Sequence, residues 1–365
     1  MKRGWTVSFI ILLLLVGLIG CKSSDVSKSA NQQPEQKQTA ENDPEQKAPE
    51  PKKEEEPKPP EHIYPLTGLP AEHEVTNRPV GVMINNFSLA RPQSGVYQAD
   101  LVYEALAEGA ITRFLAIFQS HQPKVIGPVR SARPYYIRLS NGYDAFYVHF
   151  GWSPQARALI ESSGKDNLNG IYYDGTLFYR ADFRKAPHNA YISYKNILKG
   201  AEKKGYNMKA DIKPLPFLTE EEVNALSGEK AKAVKINYLD RYSVRYVYQP
   251  DTGKYIRYSD GEQSKDLETK TPVTLSNVMV VSAPHRFIDS YPRREINLKD
   301  GGEAWLFQQG VVQKVKWKNV DGRIYPVKDG KILGFVPGRT WINIVPTDPG
   351  LSGSVTISGG DQDAN

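Results

Sequence analysis

The chain has 365 residues, of which 39% are hydrophobic and 24% are charged, so it holds enough apolar material for a large core. Its length indicates two or three domains, and its single cysteine excludes a disulfide framework and a thiolate metal cluster. The formal net charge of +6 is smaller than a dedicated nucleic-acid-binding protein needs, so no nucleic-acid partner is predicted.

Residues 1–20 have the pattern of a signal peptide. Lys2 and Arg3 precede an apolar stretch over residues 5–19, which is too short for a comfortable membrane span. The stretch ends in Leu-Ile-Gly-Cys, which resembles a bacterial lipobox and predicts cleavage before Cys21 and diacylation of its thiol. Two acyl chains hold a protein firmly on a bilayer. We therefore predict a lipoprotein on the outer, extracytoplasmic face of the cell membrane, with an uncleaved N-terminal anchor as the alternative.

Residues 21–60 are predicted to be the lipidated cysteine and a disordered tether. Residues 22–60 contain no aromatic side chain, and Val26 is their only aliphatic residue larger than alanine. Such a composition cannot bury enough apolar area to offset chain entropy. At roughly 3.1 Å per residue the fully extended tether reaches about 120 Å. A folded body could therefore stand away from the bilayer.

Residues 61–215 mix helix and strand signals, which predicts an α+β N-terminal domain with a mixed sheet and flanking helices. Apolar runs at residues 80–84 and 113–118 are typical of buried strands. Residues 145–150 alternate, with His149 on the polar side. Ser153 and Pro154 predict the start of a helix to residue 162, and a second helix is predicted over residues 193–204. A linker with a short helix around residues 220–225 is predicted to follow, over residues 209–227.

Residues 228–355 are predicted to form a smaller, mostly-β C-terminal domain, which makes the whole chain an α+β protein. Alternating strands, turn residues and a hairpin carry this prediction; they lie at residues 233–239, 243–248, 250–253, 254–259, 278–282, 304–317 and 341–345. Residues 350–365 are rich in Gly, Ser and Asp and are predicted to be a frayed tail.

The densest polar stretch lies at residues 127–138. Ser131 is predicted to cap a helix whose first turn offers unpaired N–H groups and a partial positive charge. Arg130 and Arg133 add two guanidinium groups, which suits a phosphate, sulfate or carboxylate ligand. The alternative is that both arginines pair with protein carboxylates, for which the candidates are Glu104, Glu108 and Asp144.

Acid–base chemistry has four candidate residues, namely Glu104, Glu108, His149 and His188. Paired carboxylates act as acid and base when their surroundings separate their pKa values, but two glutamates four apart are also common on a solvated face. Glu104 ends an alternating run over residues 100–104. Histidine shuttles protons near neutral pH, whereas a strand histidine is more often a hydrogen-bonded core residue. No metal spacing, cofactor motif or catalytic motif is present, so no metal or cofactor is predicted and the sequence favours a protein that is not an enzyme.

Several longer strings resemble the YerB-like family of bacterial lipoproteins, which is best known in Gram-positive Bacillus relatives. These strings lie at residues 78–86, 90–95, 99–104, 108–114, 127–133, 186–189, 276–278 and 337–341. The resemblance implies a mixed α+β N-terminal domain and a smaller β-rich C-terminal domain. It supplies no activity and no catalytic residue, because the function of the family is unknown.

Three functions follow as alternatives. The first is a tethered protein that binds an anionic envelope ligand, such as a teichoic-acid phosphate or a peptidoglycan carboxylate. Its predicted ligand-binding residues are Asn85, Asn86, Arg113, Arg130, Ser131 and Arg133. The second is a hydrolase or transferase of a wall polymer that uses the acid–base candidates. The third is a protein-interaction module whose C-terminal domain docks a partner through an exposed tyrosine face.

Overall fold

The computed structural model describes residues 60–239 and 241–359. The predicted signal peptide, Cys21 and the predicted tether through residue 59 lie outside these residues. Within the described part of the chain, no helix is both long and apolar enough to cross a membrane.

The described residues form five α-helices and a larger number of strands. The helices are α1 (Pro134–Asn141), α2 (Pro154–Ser163), α3 (Tyr194–Lys203), α4 (Glu220–Asn224) and α5 (Gly350–Ser354). The first strands are β1 (His62–Ile63), β2 (Pro70–Ala71), β3 (Val80–Asn85), β4 (Leu101–Glu108), β5 (Ile111–Phe118), β6 (Phe146–His149), β7 (Asn167–Asn169), β8 (Phe178–Arg180), β9 (Ala190–Ile192), β10 (Glu229–Lys230), β11 (Ala233–Tyr238) and β12 (Tyr242–Gln249). The remaining strands are β13 (Lys254–Ser259), β14 (Glu262–Gln263), β15 (Thr274–Leu275), β16 (Asn277–Ala283), β17 (His285–Phe287), β18 (Arg294–Ile296), β19 (Gly302–Gln308), β20 (Val311–Val320), β21 (Arg323–Lys328), β22 (Lys331–Ile332), β23 (Thr340–Pro346) and β24 (Val355–Ser358).

A twelve-stranded mixed sheet contains strands from both halves of the chain. Its order is β22-β21-β20-β19-β16-β23-β4-β5-β3-β6-β7, and β10 pairs beside β20. Parallel pairing joins β16 to β23 and β23 to β4. The strands of the C-terminal half therefore continue directly into those of the N-terminal half. A second sheet of six strands has the order β14-β13-β12-β11-β24, with β15 beside β13.

The central strands of the large sheet, such as β3, β4 and β23, are buried on both faces, which explains their continuous apolar runs. Successive side chains of a strand point to opposite faces. In β3, Val80 and Val82 pack in the core shared with the six-stranded sheet and α3. Met83 points the other way, into a core shared with α1 and α2. The architecture is α+β, with a mostly-β C-terminal half.

The predicted helices are confirmed by their caps. Ser153 caps α2, and its side chain accepts a hydrogen bond from the Ala156 N–H at 3.2 Å. Ser193 caps α3 in the same way. The short α4 begins with a capping box between Thr219 and Glu222. The predicted strands and the hairpin of the C-terminal half are confirmed as well.

Two local predictions are wrong. Ser131 does not cap α1, because Pro134 is the first helical residue and leaves Arg133 at the capping position. The predicted frayed tail is ordered through residue 358. It forms α5 and β24, and β24 pairs with β11 and places Val355 in the core. Apolar burial and strand pairing therefore outweigh the Gly- and Ser-rich composition here.

The predicted linker is held against the body. Ile212 and Leu215 are almost fully buried in the core beside α1. The Ala210 N–H donates to the Thr76 carbonyl at 2.9 Å. Two apolar residues in a polar stretch carry too little periodicity to predict this packing.

A buried ion pair joins the two sheets. Glu104 on β4 and Arg257 on β13 are 0% and 1% exposed. Arg257 Nη2 donates to Glu104 Oε2 at 2.9 Å and to the Tyr242 hydroxyl at 2.7 Å. Three further donors reach the Glu104 carboxylate, namely Trp341 Nε1 at 3.1 Å, Thr112 Oγ1 at 2.9 Å and Asn86 Nδ2 at 3.2 Å. Such a set of hydrogen bonds is what allows two charges to be buried.

Replacement of Glu104 with Gln is expected to lower the free energy of unfolding by about 3–5 kcal/mol, because the Arg257 charge then stays buried without a counter-ion. Urea unfolding of the full chain measures this loss. Arg157→Ala is the matched control, because Arg157 pairs with Glu161 on the surface, where the two side chains are 56% and 58% exposed. The control should change stability only slightly, because solvent screens an exposed ion pair. An equally small effect of Glu104→Gln would contradict the importance of the buried pair.

Candidate functional site

A β-bulge near the end of β4 separates the two glutamates. Strand β4 continues to Glu108, so Glu104 lies in mid-strand and does not end the run as predicted. Between Leu106 and Glu108 the pairing with β5 shifts by one residue, and a bulge of this kind redirects the side chains beyond it. Glu104 therefore faces the six-stranded sheet, and Glu108 lies on the opposite face.

Glu108 is the shared counter-ion of two buried arginines. Arg113 Nη2 donates to both carboxylate oxygens of Glu108, at 2.9 and 2.6 Å. Arg133 forms a second ion pair with the same carboxylate. Arg113 Nη1 also donates to the Ser131 carbonyl at 2.7 Å. Both guanidinium groups are thus held in place by the protein itself.

Arg130 lies beside this pair, on a segment that inserts between β3 and β6 where the two strands separate. Its N–H donates to the Met83 carbonyl at 2.9 Å, and its carbonyl accepts from the Phe150 N–H at 3.0 Å. Its partly exposed side chain forms no hydrogen bond or ion pair with residues 60–239 or 241–359. Burial, and then the charge of Arg113, lower the pKa of Arg130 to about 10, so it stays charged at neutral pH.

We call Arg113, Arg130 and Arg133 the arginine cluster. It contains three cations and one carboxylate, Glu108, so it carries excess positive charge. The two buried members are neutralised in part by Glu108, and the partly exposed member has no counter-ion within the described chain.

Gly127 allows the Arg130 segment to approach β9. Its φ is +153°, and a Cβ at this position would lie 2.6 Å from the Tyr191 ring and 2.9 Å from the Ala190 carbonyl oxygen. Two residues later, the Val129 N–H donates to that same carbonyl at 2.7 Å. This packing brings Arg130 next to the loop that precedes β9, which contains His188.

Asn85 and His188 meet at the end of β3. Asn85 Nδ2 lies 2.9 Å from His188 Nδ1, and the Phe87 ring stacks on the imidazole with a centroid distance of 5.0 Å. Burial, followed by the charges of Arg130 and Arg184, lowers the pKa of His188. The fold therefore brings Asn85 and His188 to the side of the arginine cluster.

A turn from the C-terminal half completes the site. The Gly109 N–H donates to the Pro292 carbonyl at 3.0 Å, and Arg294 Nη2 donates to the Gly109 carbonyl at 2.9 Å. Tyr291 in this turn is 57% exposed and influences the pKa values of Arg130 and Arg133. Sequence reasoning missed this turn, because nothing in the local sequence links it to a loop about 180 residues earlier.

Three further residues named from the sequence have other roles. Asn86 is 3% exposed and hydrogen-bonds Glu104 on the opposite face of the sheet. Ser131 contributes its carbonyl to Arg113, as described above. Asp144, the third carboxylate considered as a partner for Arg130 and Arg133, instead pairs with Arg78.

The polar-side placement of His149 is wrong, because His149 is fully buried. Its Nδ1 lies 2.8 Å from the Gly151 carbonyl oxygen. Across residues 60–239 and 241–359, no hydrogen bond or ion pair joins any two of Glu104, Glu108, His149 and His188. No group of three or more potential metal ligands occurs in the same residues.

The strand tyrosines of the C-terminal half do not form an exposed face. Tyr238, Tyr246 and Tyr255 are completely buried in the core between the two sheets. Among the larger apolar side chains described in this half, Phe287, Tyr291 and Ile332 are exposed.

Known proteins resemble the chain over most of its length. Two family models match it, described as the N-terminal and the C-terminal domain of a protein of unknown function (DUF3048), over residues 66–207 and 234–342. The chain is 52% identical over 286 residues to the Bacillus subtilis (strain 168) protein called "Putative lipoprotein YerB". The aligned region covers 77% of this chain and 86% of that protein. The crystal structure of YerB from Bacillus subtilis superposes with a TM-score of 0.76 at 51% identity, covering 81% of this chain and 99% of that one.

His149 is expected to make the protein less stable in acid. Burial lowers its pKa to about 4, below the value of about 6.5 in an unfolded chain. The unfolded state therefore binds the proton first, and stability is lost as the pH falls from about 6.5 to about 4, by at most about 3 kcal/mol. Urea unfolding at pH 7.5 and 4.5 should show a smaller loss in His149→Gln than in the wild type. His73 is exposed, so His73→Gln is the control. If His149→Gln loses as much stability between pH 7.5 and 4.5 as His73→Gln does, the burial of a neutral His149 is contradicted.

Proposed function

The chain belongs to the DUF3048 family, and from this premise we propose that it is a membrane-anchored extracytoplasmic lipoprotein whose body binds an anionic ligand of the cell envelope at the arginine cluster. The bilayer is its partner through diacylated Cys21. The single observation that carries the binding proposal is the charged Arg130 side chain, which has no partner in the described chain.

The lipoprotein part of the proposal is supported from two directions. The N-terminal residues resemble a signal peptide that ends in a lipobox at Cys21. The Bacillus subtilis relative carries the word lipoprotein in its name. Because Cys21 is the only cysteine of the chain, one substitution removes the proposed lipid attachment completely.

Replacement of Cys21 with Ser is expected to abolish incorporation of labelled palmitate when the chain is expressed in a Gram-positive host. Palmitate labelling followed by cell fractionation measures this, with Arg138→Ala as the control that keeps the lipobox. The control should carry the label in the membrane fraction. Equal labelling of the Cys21→Ser chain would contradict lipidation at this residue.

The position of the cluster supports ligand binding. Strands β3 and β6 run parallel and separate at their carboxyl ends, where the Arg130 segment enters. In open α/β sheets such a crevice at the carboxyl ends of strands is the usual place for a ligand. Arg113 and Arg133, which are buried next to Arg130, add positive potential, because they share one carboxylate and together keep an excess positive charge. An anion at Arg130 would replace solvent and complete the charge balance.

Arg130→Ala is expected to remove anion binding without destabilising the free protein. The full chain is heated with inorganic phosphate, teichoic acid or muropeptides, and a ligand at about 100 times its dissociation constant should add roughly 2.7 kcal/mol of stability. The shift should disappear in Arg130→Ala. It should remain in Arg138→Ala, because Arg138 is exposed and likewise forms no ion pair with the described residues. An unchanged shift in Arg130→Ala would refute the site.

A further inference from the structure

We propose that the ligand group at the arginine cluster is a tetrahedral oxyanion, a phosphate, and that His188 Nε2–H is its second donor beside Arg130. This inference rests on the proposed function, because it names the ligand chemistry and a further contact residue of the same site. It depends on three features: the tautomer of His188, its position near Arg130, and the fact that the groups free to bind a ligand, the Arg130 guanidinium and His188 Nε2–H, are both hydrogen-bond donors.

The tautomer of His188 follows from the orientation of Asn85. The Phe87 N–H donates to Asn85 Oδ1 at 3.0 Å, so this atom is the amide oxygen and Nδ2 is the amide nitrogen. Asn85 Nδ2 faces His188 Nδ1 at 2.9 Å. Because Nδ2 can only donate, Nδ1 must accept. A neutral imidazole with Nδ1 accepting carries its proton on Nε2.

Nε2–H is available to a ligand. Within the described residues, His188 makes its side-chain hydrogen bond through Nδ1 alone, and its ring is partly exposed. The stacked Phe87 ring, at an interplanar angle of 14°, fixes the plane of the imidazole. The lowered pKa of His188 keeps the neutral tautomer populated at neutral pH.

His188 and Arg130 lie on neighbouring segments. An antiparallel bridge joins Ile126 to Ile192, and the Val129 N–H still donates to the Ala190 carbonyl at 2.7 Å. Arg130 directly follows Val129, and His188 lies two residues before Ala190. Arg130 on the segment before α1 and His188 on the loop before β9 are therefore neighbours, which agrees with the effect of the Arg130 charge on the pKa of His188.

This donor arrangement fits a phosphate better than a carboxylate. A guanidinium can bind two oxygens of either group side by side. A carboxylate has only two oxygens, both in the plane of that contact, so a further donor has to share one of them and approach close to the same plane. A phosphate offers a third oxygen out of that plane, which His188 Nε2–H can reach.

Binding of inorganic phosphate, sulfate and succinate to the full chain, measured by calorimetry at pH 7.5, tests the proposal. Sulfate is tetrahedral and does not titrate, so it separates shape from ligand protonation. Phosphate and sulfate should bind at least tenfold more tightly than succinate. His188→Ala should weaken both tetrahedral ions roughly tenfold or more, as expected for a lost hydrogen bond to a charged group. His188→Gln should retain most of the affinity, because its amide N–H can replace Nε2–H.

The side-chain nitrogen spectrum of His188 provides a second readout that a purely structural role would not change. In the free protein Nδ1 should have the shift of an acceptor nitrogen and Nε2 that of a protonated nitrogen, and phosphate should move the Nε2 signal. Asn85→Ala should weaken phosphate binding and remove this fixed tautomer. Two further probes identify the source of the phosphate. Soluble glycerol phosphate represents a free phosphate, and vesicles of phosphatidylglycerol represent a lipid headgroup; binding of either one supports the proposal.

The outcomes separate this inference from the proposed function. If succinate binds as tightly as phosphate and Arg130→Ala loses both, the phosphate assignment is wrong. The proposed anion site at Arg130 is then still supported. Phosphate binding that His188→Ala leaves unchanged removes His188 from the site. Absence of any anion binding that depends on Arg130 overturns both.

Discussion

The Glu104–Arg257 ion pair lies between the two sheets, with both side chains removed from water. Burial of two charges is costly unless each of them finds a complete set of partners. Glu104 obtains its partners from Asn86, Thr112 and Trp341, and Arg257 reaches it from β13. Neither half of the chain contains the whole set. The pair therefore makes the two family-defined regions depend on one another, as does the parallel pairing of β4 with β23.

The arrangement at the sheet edge follows from the same strand. The bulge after Leu106 turns Glu108 away from the buried pair and towards the opposite face. There its single carboxylate holds two arginines and leaves a third without a counter-ion. One irregularity in β4 thus separates a buried, internally neutral ionic network from a partly exposed one that carries excess positive charge. The first network stabilises the fold, and the second is the place where we propose that an external anion balances the charge.

Much of the fold could be predicted from local sequence. Proline after a capping serine marks the start of α2, and the apolar run at β3 marks a strand buried on both faces. Less of the candidate site could be predicted from the sequence. The sequence leaves open that Arg130 and Arg133 pair with Glu104, Glu108 or Asp144. It does not indicate which carboxylate is chosen, because no sequence pattern locates the bulge that decides which face Glu108 occupies. The contributions of Arg257 and the Tyr291 turn depend on contacts between residues more than 150 positions apart, which no periodicity encodes.

The most direct measurement of the central claim is the side-chain nitrogen spectrum of the arginines in the full chain, recorded with and without inorganic phosphate. The guanidinium signal of Arg130 should move on addition of phosphate. The signal of Arg257 should stay in place, because its partners are internal. A spectrum in which Arg130 does not move, or in which the exposed Arg138 moves as far, would contradict a specific anion site at the arginine cluster.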